Sequence, residues 1–455
     1  MSEHNPDAPA WLQLPSDVNA LYASAWPTSA HRDAQGVLRF AGVSATELVD
    51  TYDTPLYLLD DAEFQHQALM YRDAFDGYTV YYASKALLNR TVVRWVAKAG
   101  LGLDVCSGNE LRLALEAEFD PARITLHGNN KSLDELVLAC ESGVGRIVVD
   151  CMDELLRIEK LISDGLSAPK LLLRVKTGVQ AHTHEYIATA HEDQKFGFSL
   201  SSGAALEALQ WARSKGLPLV GIHSHIGSQI LKVSGFITAA RRLLELLAEY
   251  RDTTGEQLPV LCLGGGFGIV YTPADTPLPP HDLAAALRAV LPNDCARLGL
   301  ELPQLAIEPG RAIVGPCGVA LYRVGVVKQV ELESGGSRTY VAVDGGMSDN
   351  PRPALYGADY SCALANRASD AEPVLARVVG KHCESGDILV RDCYLPADVR
   401  PDDIIAIAAV GAYCRSLSSN YNMALRPPLV ALRTGTARLI VRRETFADLM
   451  ATDVG

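Results

Sequence analysis

The chain has 455 residues, more than one hydrophobic core usually organises, so two domains are expected. A formal charge of −13 leaves no surplus of basic groups for a general nucleic-acid or anionic-membrane surface, and no window is apolar and uncharged for long enough to cross a bilayer. The ten cysteines are scattered without paired metal-site spacing, as buried thiols in a reducing compartment would be, and the opening Ser2-Glu3-His4-Asn5-Pro6 lacks a basic-then-apolar leader, so a cytoplasmic protein is expected.

Residues 1 to about 50 are at first rich in Pro, Ala and Asp. They then carry a turn and short strand from Gly36 to Gly42, and a short helix from Ser44 to Thr51. Pro55 to Asp60 reads as a strand leading into a helix from Asp61 to about Phe75. From Tyr78 a short β-branched or apolar run followed by an amphipathic helix pattern recurs eight times. The strands run from Thr79 to Ser84, Leu101 to Cys106, Arg123 to His127, Arg146 to Cys151, Lys170 to Lys176, Leu219 to Ile226, Val260 to Leu263 and Gln304 to Glu308. Strands alternating with helices imply a parallel sheet. Eight units without an antiparallel break favour an α/β, (β/α)8 TIM-type barrel over a doubly wound open sheet. After Arg311 the helices give way to strand patterns: Val319 to Glu333, Tyr340 to Val343, Pro373 to Val379, Asp387 to Val390, Ile404 to Ala409 and Leu429 to Ile440. The expected division is a barrel over 54–317 and an all-β barrel or sandwich over 318–455, joined by strands from 1–53.

Barrel enzymes place their chemistry at the C-terminal ends of the strands. There the sequence sets Lys85, Asp104, His127, Arg174, His225 with Ser228, the run Gly264-Gly265-Gly266, and Glu308 with Arg311. Each residue alone has a plain explanation. A lysine is usually a solvated loop residue, a histidine a satisfied core residue, and a triple glycine only a tight turn. Together, an amine that can form a Schiff base, a flat ring, a glycine loop after the seventh strand that can cradle a phosphate, and a carboxylate describe a pocket for pyridoxal phosphate. In that pocket Lys85 is the partly desolvated amine, His225 lies on the ring face, the glycines and Ser228 meet the phosphate, and Glu308 keeps the pyridine nitrogen protonated. The segment His182-Thr183-His184-Glu185, with His191 beyond it, lacks a second ligand cluster, so it reads as an active-site loop and no metal is expected.

These motifs, with Tyr82-Ala83-Ser84-Lys85, His127-Gly128-Asn129-Asn130-Lys131, Glu192-Asp193-Gln194-Lys195-Phe196-Gly197, His225-Ile226-Gly227-Ser228-Gln229, Glu308-Pro309-Gly310-Arg311 and Cys383-Glu384-Ser385-Gly386-Asp387, resemble the diaminopimelate decarboxylase family of fold-type III pyridoxal-phosphate enzymes. The likeness runs from about Tyr52 to the C-terminal strands. It implies release of the D-configured α-carboxylate of meso-diaminopimelate as carbon dioxide and protonation to L-lysine. It also implies Asp104 and Arg174 among the cofactor contacts, Cys383 as a proton donor that reaches the other subunit of a head-to-tail homodimer, and Tyr413 beside phosphate and substrate. The distal end of that substrate carries both an ammonium and a carboxylate. Arg311, and Arg352 with Tyr356, can meet the carboxylate, and Glu384 the ammonium. Cys414-Arg415 and Met423-Ala424-Leu425 depart from the common family pattern. An ornithine enzyme on the same scaffold should lack the Arg352 and Glu384 combination, a racemase needs a catalytic tyrosine as second base, and a non-catalytic homologue should have lost Lys85 or Cys383.

Overall fold

The structure, a computed structural model, describes residues 6–179 and 194–455. The His182 to Glu185 segment, His191, Glu192 and Asp193 lie outside the described residues. Two compact units are present, one of Gln67–Gly268 and Pro277–Ile313, the other of Met1–His66, Ile269–Thr276 and Val314–Gly455.

The first unit is a closed barrel. Its strands are β1 (Thr79–Ala83), β2 (Gly102–Val105), β3 (Ile124–Leu126), β4 (Arg146–Val149), β5 (Lys170–Lys176), β6 (Leu219–His223), β7 (Val260–Cys262) and β8 (Gln304–Ile307). All pair in parallel, β8 closes on β1 through Ala306 opposite Thr79 and Ile307 opposite Val80, and β4 pairs with β5. The strands read as near-continuous apolar runs because both faces are covered. Tyr81, Val148, Leu172, Val260, Cys262 and Ala306 from five of the strands meet in one buried cluster, so the barrel is filled.

Local chemistry sets the helix starts that aim the strand-end loops. Ser107 accepts from Glu110 N to start Gly108–Glu116, and Ser132 and Glu135 form a reciprocal capping box on Leu133–Ser142. Glu135 also accepts from Gly108 N at 2.7 Å, tying the second of these helices to the first.

The second unit is mostly β. Its long strand Gly318–Glu331 pairs antiparallel with Leu56–Asp60 and Ile404–Ala408 along its first half and with Ser337–Val343 along its second. Leu56, Leu58, Val319, Leu321, Ile404, Ala406, Val430 and Leu432 pack into one core together with Trp26, Leu38 and Phe40.

Three expectations need correction here. The strand from Leu56 to Asp60 falls within the range assigned to the barrel, yet it is hydrogen-bonded between Gly318–Leu321 and Leu429–Leu432 of the β unit. The strands Leu38–Phe40 and Val43–Ser44 do not enter that sheet; with His31–Arg32 they form a small sheet of their own. The run from Leu429 to Ile440 is a hairpin, Leu429–Arg433 and Thr436–Val441, broken at Thr434-Gly435, where φ is +39° and +76°. Among the described residues no helix is long and apolar enough to cross a membrane.

Candidate active site

The C-terminal rim of the barrel carries the polar residues expected there. Lys85 sits on the single turn Ser84–Ala86 that follows β1, with both neighbours buried and its own side chain exposed, not partly desolvated as expected. The turn is fixed by Glu110, whose Oε2 accepts from Ser84 Oγ at 2.9 Å and from Cys106 N at 2.6 Å, so one carboxylate joins the loops after β1 and β2.

Below this rim lies a buried acid and imidazole cluster. Glu308 is 5% exposed; its Oε2 is 3.0 Å from His223 Nε2, its Oε1 is 3.0 Å from His127 Nε2, and Cys262 Sγ donates to Oε1 at 3.3 Å. Burial works against a charge here, but the two imidazoles hold Glu308 well below the usual carboxylate range. Asp104, 3.6 Å from His127 Nε2, goes the other way, because burial raises it more than His127 and Lys85 lower it. Two buried carboxylates side by side thus settle with their proton affinities pushed apart.

His225 lies just beyond β6. Gly265 N donates to its Nδ1 at 3.2 Å, so the ring proton of the neutral form resides on Nε2. Burial first, then Lys85, Arg174 and His223, press its pKa well below the ordinary histidine value, which keeps it neutral. Arg174 on β5 stacks over Phe196 with its guanidinium carbon 4.2 Å from the ring centroid and lies 4.0 Å from Asp150. Asp150 in turn accepts from Gly197 N at 3.0 Å, so the Phe196-Gly197 stretch is anchored to the strand-five arginine. Arg311 Nη2 donates to Ser228 Oγ at 2.7 Å, which joins the loop after β6 to the turn after β8.

The three glycines are required by the backbone itself. A Cβ on Gly265 would stand 2.2 Å from Glu308 O, one on Gly266 2.2 Å from Gly227 O, and one on Gly264 2.4 Å from Ser224 O, with φ of +69° and +102° at Gly264 and Gly266. Their absence of side chains lets the loops after β6, β7 and β8 converge, which brings Ser228, Arg311 and Glu308 to one arc of the rim.

The remaining candidates belong to the β unit. Cys383 and Glu384 are exposed on the loop from Lys381 to Gly386, and of the ten cysteines, all free, Cys383 alone is exposed. The loop is pinned at its end by the buried Asp387, which accepts from His382 N at 2.8 Å and Met347 N at 2.5 Å. Cys383 lines a cavity of about 620 Å³ with Lys381, His382, Asp344, Ser348 and Arg443. Arg352 is 5% exposed, its guanidinium 4.7 Å from the Tyr271 ring centroid and 5.5 Å from that of Tyr360, whose hydroxyl accepts from Nη1. Among the described residues it has no carboxylate partner. Tyr356 ends the same short helix, half-buried, and Tyr413 is half-buried with φ of +61°. At the departures from family pattern, Cys414 is fully buried with Sγ donating to Asn350 Oδ1 at 3.3 Å, and Met423 is exposed.

The pyridoxal binding domain of the pyridoxal-dependent decarboxylases matches residues 61–315. A diaminopimelate decarboxylase of Mycobacterium tuberculosis is 51% identical over 443 residues, covering 95% of this chain and 98% of its own. The chain belongs to the diaminopimelate decarboxylase family. The family's enzyme from Bacillus subtilis is 42% identical over 94% of this chain and 97% of its own. A crystal structure of the M. jannaschii decarboxylase in co-complex with L-lysine superposes with a TM-score of 0.86 at 31% identity, covering 94% of this chain and 98% of that one.

The cofactor of this decarboxylase family is pyridoxal phosphate, and the rim fits it by donor chemistry. It offers an exposed amine at a strand end, an anionic carboxylate in the interior, a neutral imidazole with a defined proton, and a hydroxyl beside a guanidinium. His127, His223 and Glu308 are close enough to hold a metal ion, although none was expected from the sequence; His223 is hydrogen-bonded to Glu308, whereas His127 Nε2 has no hydrogen-bond partner among the described residues. The sequence reading missed His223 and Glu110. His223 ends an apolar strand and Glu110 opens an amphipathic helix, where each residue type has an ordinary structural use. The only signal for His223 was its spacing, two residues before His225 on an alternating strand.

Proposed function

We propose that the chain decarboxylates meso-2,6-diaminopimelate to L-lysine and carbon dioxide, the last step of lysine biosynthesis, with pyridoxal 5′-phosphate held at the barrel rim. The observation that carries the chemistry is the geometry of Glu308, buried at the C-terminal end of β8 with each carboxylate oxygen 3.0 Å from an imidazole nitrogen. When bound, the cofactor supplies an electron sink for the pair left on carbon as carbon dioxide departs.

The chain's residues prepare and complete that step. Lys85 would hold the cofactor through its ε-amine, exposed at the end of β1. Glu308 would keep the ring nitrogen protonated, His225 would meet the ring, and Ser228, the backbone of Gly264, Gly265 and Gly266, and Tyr413 would hold the phosphate. Asp104 and Arg174 line the same mouth. Arg352, Tyr356 and Arg311 bind the distal carboxylate and Glu384 the distal ammonium, a pair of demands that ornithine and lysine do not make. The bond between the α-carbon and its carboxylate breaks, and Cys383 delivers a proton to that carbon.

Carbon dioxide release from meso-diaminopimelate, measured beside lysine, ornithine and arginine, is expected to be confined to the first substrate. Faster release from any of the other three would overturn the assignment.

Cys383 and Glu384 serve the barrel of a second copy in a head-to-tail homodimer; the exposed, end-anchored loop that bears them supports this. Two inactive variants, Lys85→Ala and Cys383→Ala, should then complement when subunits are exchanged, since each mixed dimer regains one intact site. An equal mixture should recover about a quarter of wild-type activity, the statistical yield for a two-fold dimer. No recovery after verified subunit exchange would place both groups on one chain.

A further inference from the structure

We propose that His223 is a positioning residue that holds Glu308 in one rotamer and, through it, keeps the ring nitrogen of the cofactor protonated. The inference rests on the reading of Glu308 as the partner of that nitrogen.

His223 ends β6 and Glu308 follows β8, with β7 between them in the sheet order. The imidazole is 1% exposed and reaches across β7 to Oε2 at 3.0 Å, while Cys262 of β7 itself donates to Oε1. His223 Nδ1 is buried and has no hydrogen-bond partner among the described residues. A proton on Nδ1 would be an unsatisfied buried donor, whereas on Nε2 it meets a carboxylate, so the geometry puts the proton on Nε2. The ring is held edge-on by His127, whose centroid is 4.9 Å away at an interplanar angle of 71°.

The distribution of donors over Glu308 matters as much as their number. A carboxylate oxygen accepts at two positions. Oε1 faces both His127 Nε2 and Cys262 Sγ, and Oε2 faces His223 alone among the described residues. One acceptor position on Oε2 is therefore left for a donor outside the protein, and His223 fixes the direction in which it opens. His127 does not replace it: its Nε2 stands 3.0 Å from Oε1 and 3.6 Å from Asp104 and makes no hydrogen bond among the described residues. The other titratable or charged groups around Glu308 are Tyr81, Asp104, Cys106, Arg174 and His225. None of these donates a hydrogen bond to Oε2.

The test uses the holoenzyme. His223→Phe and His223→Leu remove the donor, and His223→Gln returns an N–H of similar reach. The absorbance of the bound cofactor, titrated across about pH 6 to 9, should stay constant in the wild type and in His223→Gln but become pH-dependent in the apolar variants. Their kcat should fall roughly tenfold to hundredfold at nearly constant KM. Should His223→Phe be insoluble, the smaller leucine variant reads the same quantity. A wild-type titration and kcat in a soluble apolar variant, while Glu308→Gln disturbs both, would show His223 to be an ordinary core residue. If Glu308→Gln leaves spectrum and turnover unchanged, it is the reading of Glu308 that fails, and this inference with it.

Discussion

Lys85→Ala is expected to abolish decarboxylation and to leave no borohydride-reducible link between cofactor and chain. The amine is exposed at the mouth of the barrel on a turn whose flanking residues are buried, so its backbone is fixed and its side chain is open to the cofactor. The neighbouring lysine of the third strand end offers the contrast. Lys131 is 2% exposed, and its Nζ donates to Gly128 O at 2.8 Å, Val148 O at 2.6 Å and Glu154 Oε1 at 2.6 Å. All three ammonium protons are in use, so this amine is committed to the fold. Because Lys85 is exposed, its truncation should change apoprotein stability by no more than about 0.5 kcal/mol, while turnover falls by several orders of magnitude. Borohydride reduction and peptide mapping of the wild type should place the label on the peptide containing Lys85. A label on Lys131, or none, would remove the basis of the proposed chemistry.

Much of this arrangement could be read from the sequence, because barrel strands announce themselves. All eight were found, and the observed ends fall within three residues of the expected ones. Once the strands are placed, the rim residues follow from the rule that chemistry collects at their C-terminal ends. What could not be read were relations between distant segments. Leu56–Asp60 is buried at every residue, like a barrel strand, and only its pairing with Gly318–Leu321 and Leu429–Leu432, hundreds of residues away, reveals its true sheet. Ile269–Thr276 belongs to the β unit although it lies between barrel elements in sequence. The glycines after β7 were seen, but the reason for them was not. Their Cβ positions are excluded by carbonyl oxygens of three other residues, a constraint that exists only once the loops converge. His223 was missed for a related reason: a histidine on a strand becomes informative only when its partner on another strand is known.

Arg352→Met should separate binding from stability, because the two are expected to move in opposite directions. Arg352 is a buried guanidinium without a counter-ion among the described residues, and its Nε is buried without a hydrogen-bond partner. Stacking against Tyr271 and Tyr360 offsets part of the desolvation cost, by about 0.5–2 kcal/mol for each ring. Burying an ion costs several kcal/mol, so the fold carries a local deficit. Its partners among the described residues are two tyrosine rings and the Tyr360 hydroxyl, with no carboxylate among them. In the proposed role, a substrate carboxylate would close the deficit with two parallel, charge-assisted hydrogen bonds. Methionine keeps the stem and removes the charge, so Tm should stay level or rise. With each lost bond to a charged group counted at about 1.5–3 kcal/mol, kcat/KM for meso-diaminopimelate should fall by at least about a hundredfold, with the cofactor absorbance unchanged. A fall in Tm with kcat/KM preserved would assign Arg352 to the architecture of the β unit and leave the distal carboxylate to Arg311 and Tyr356.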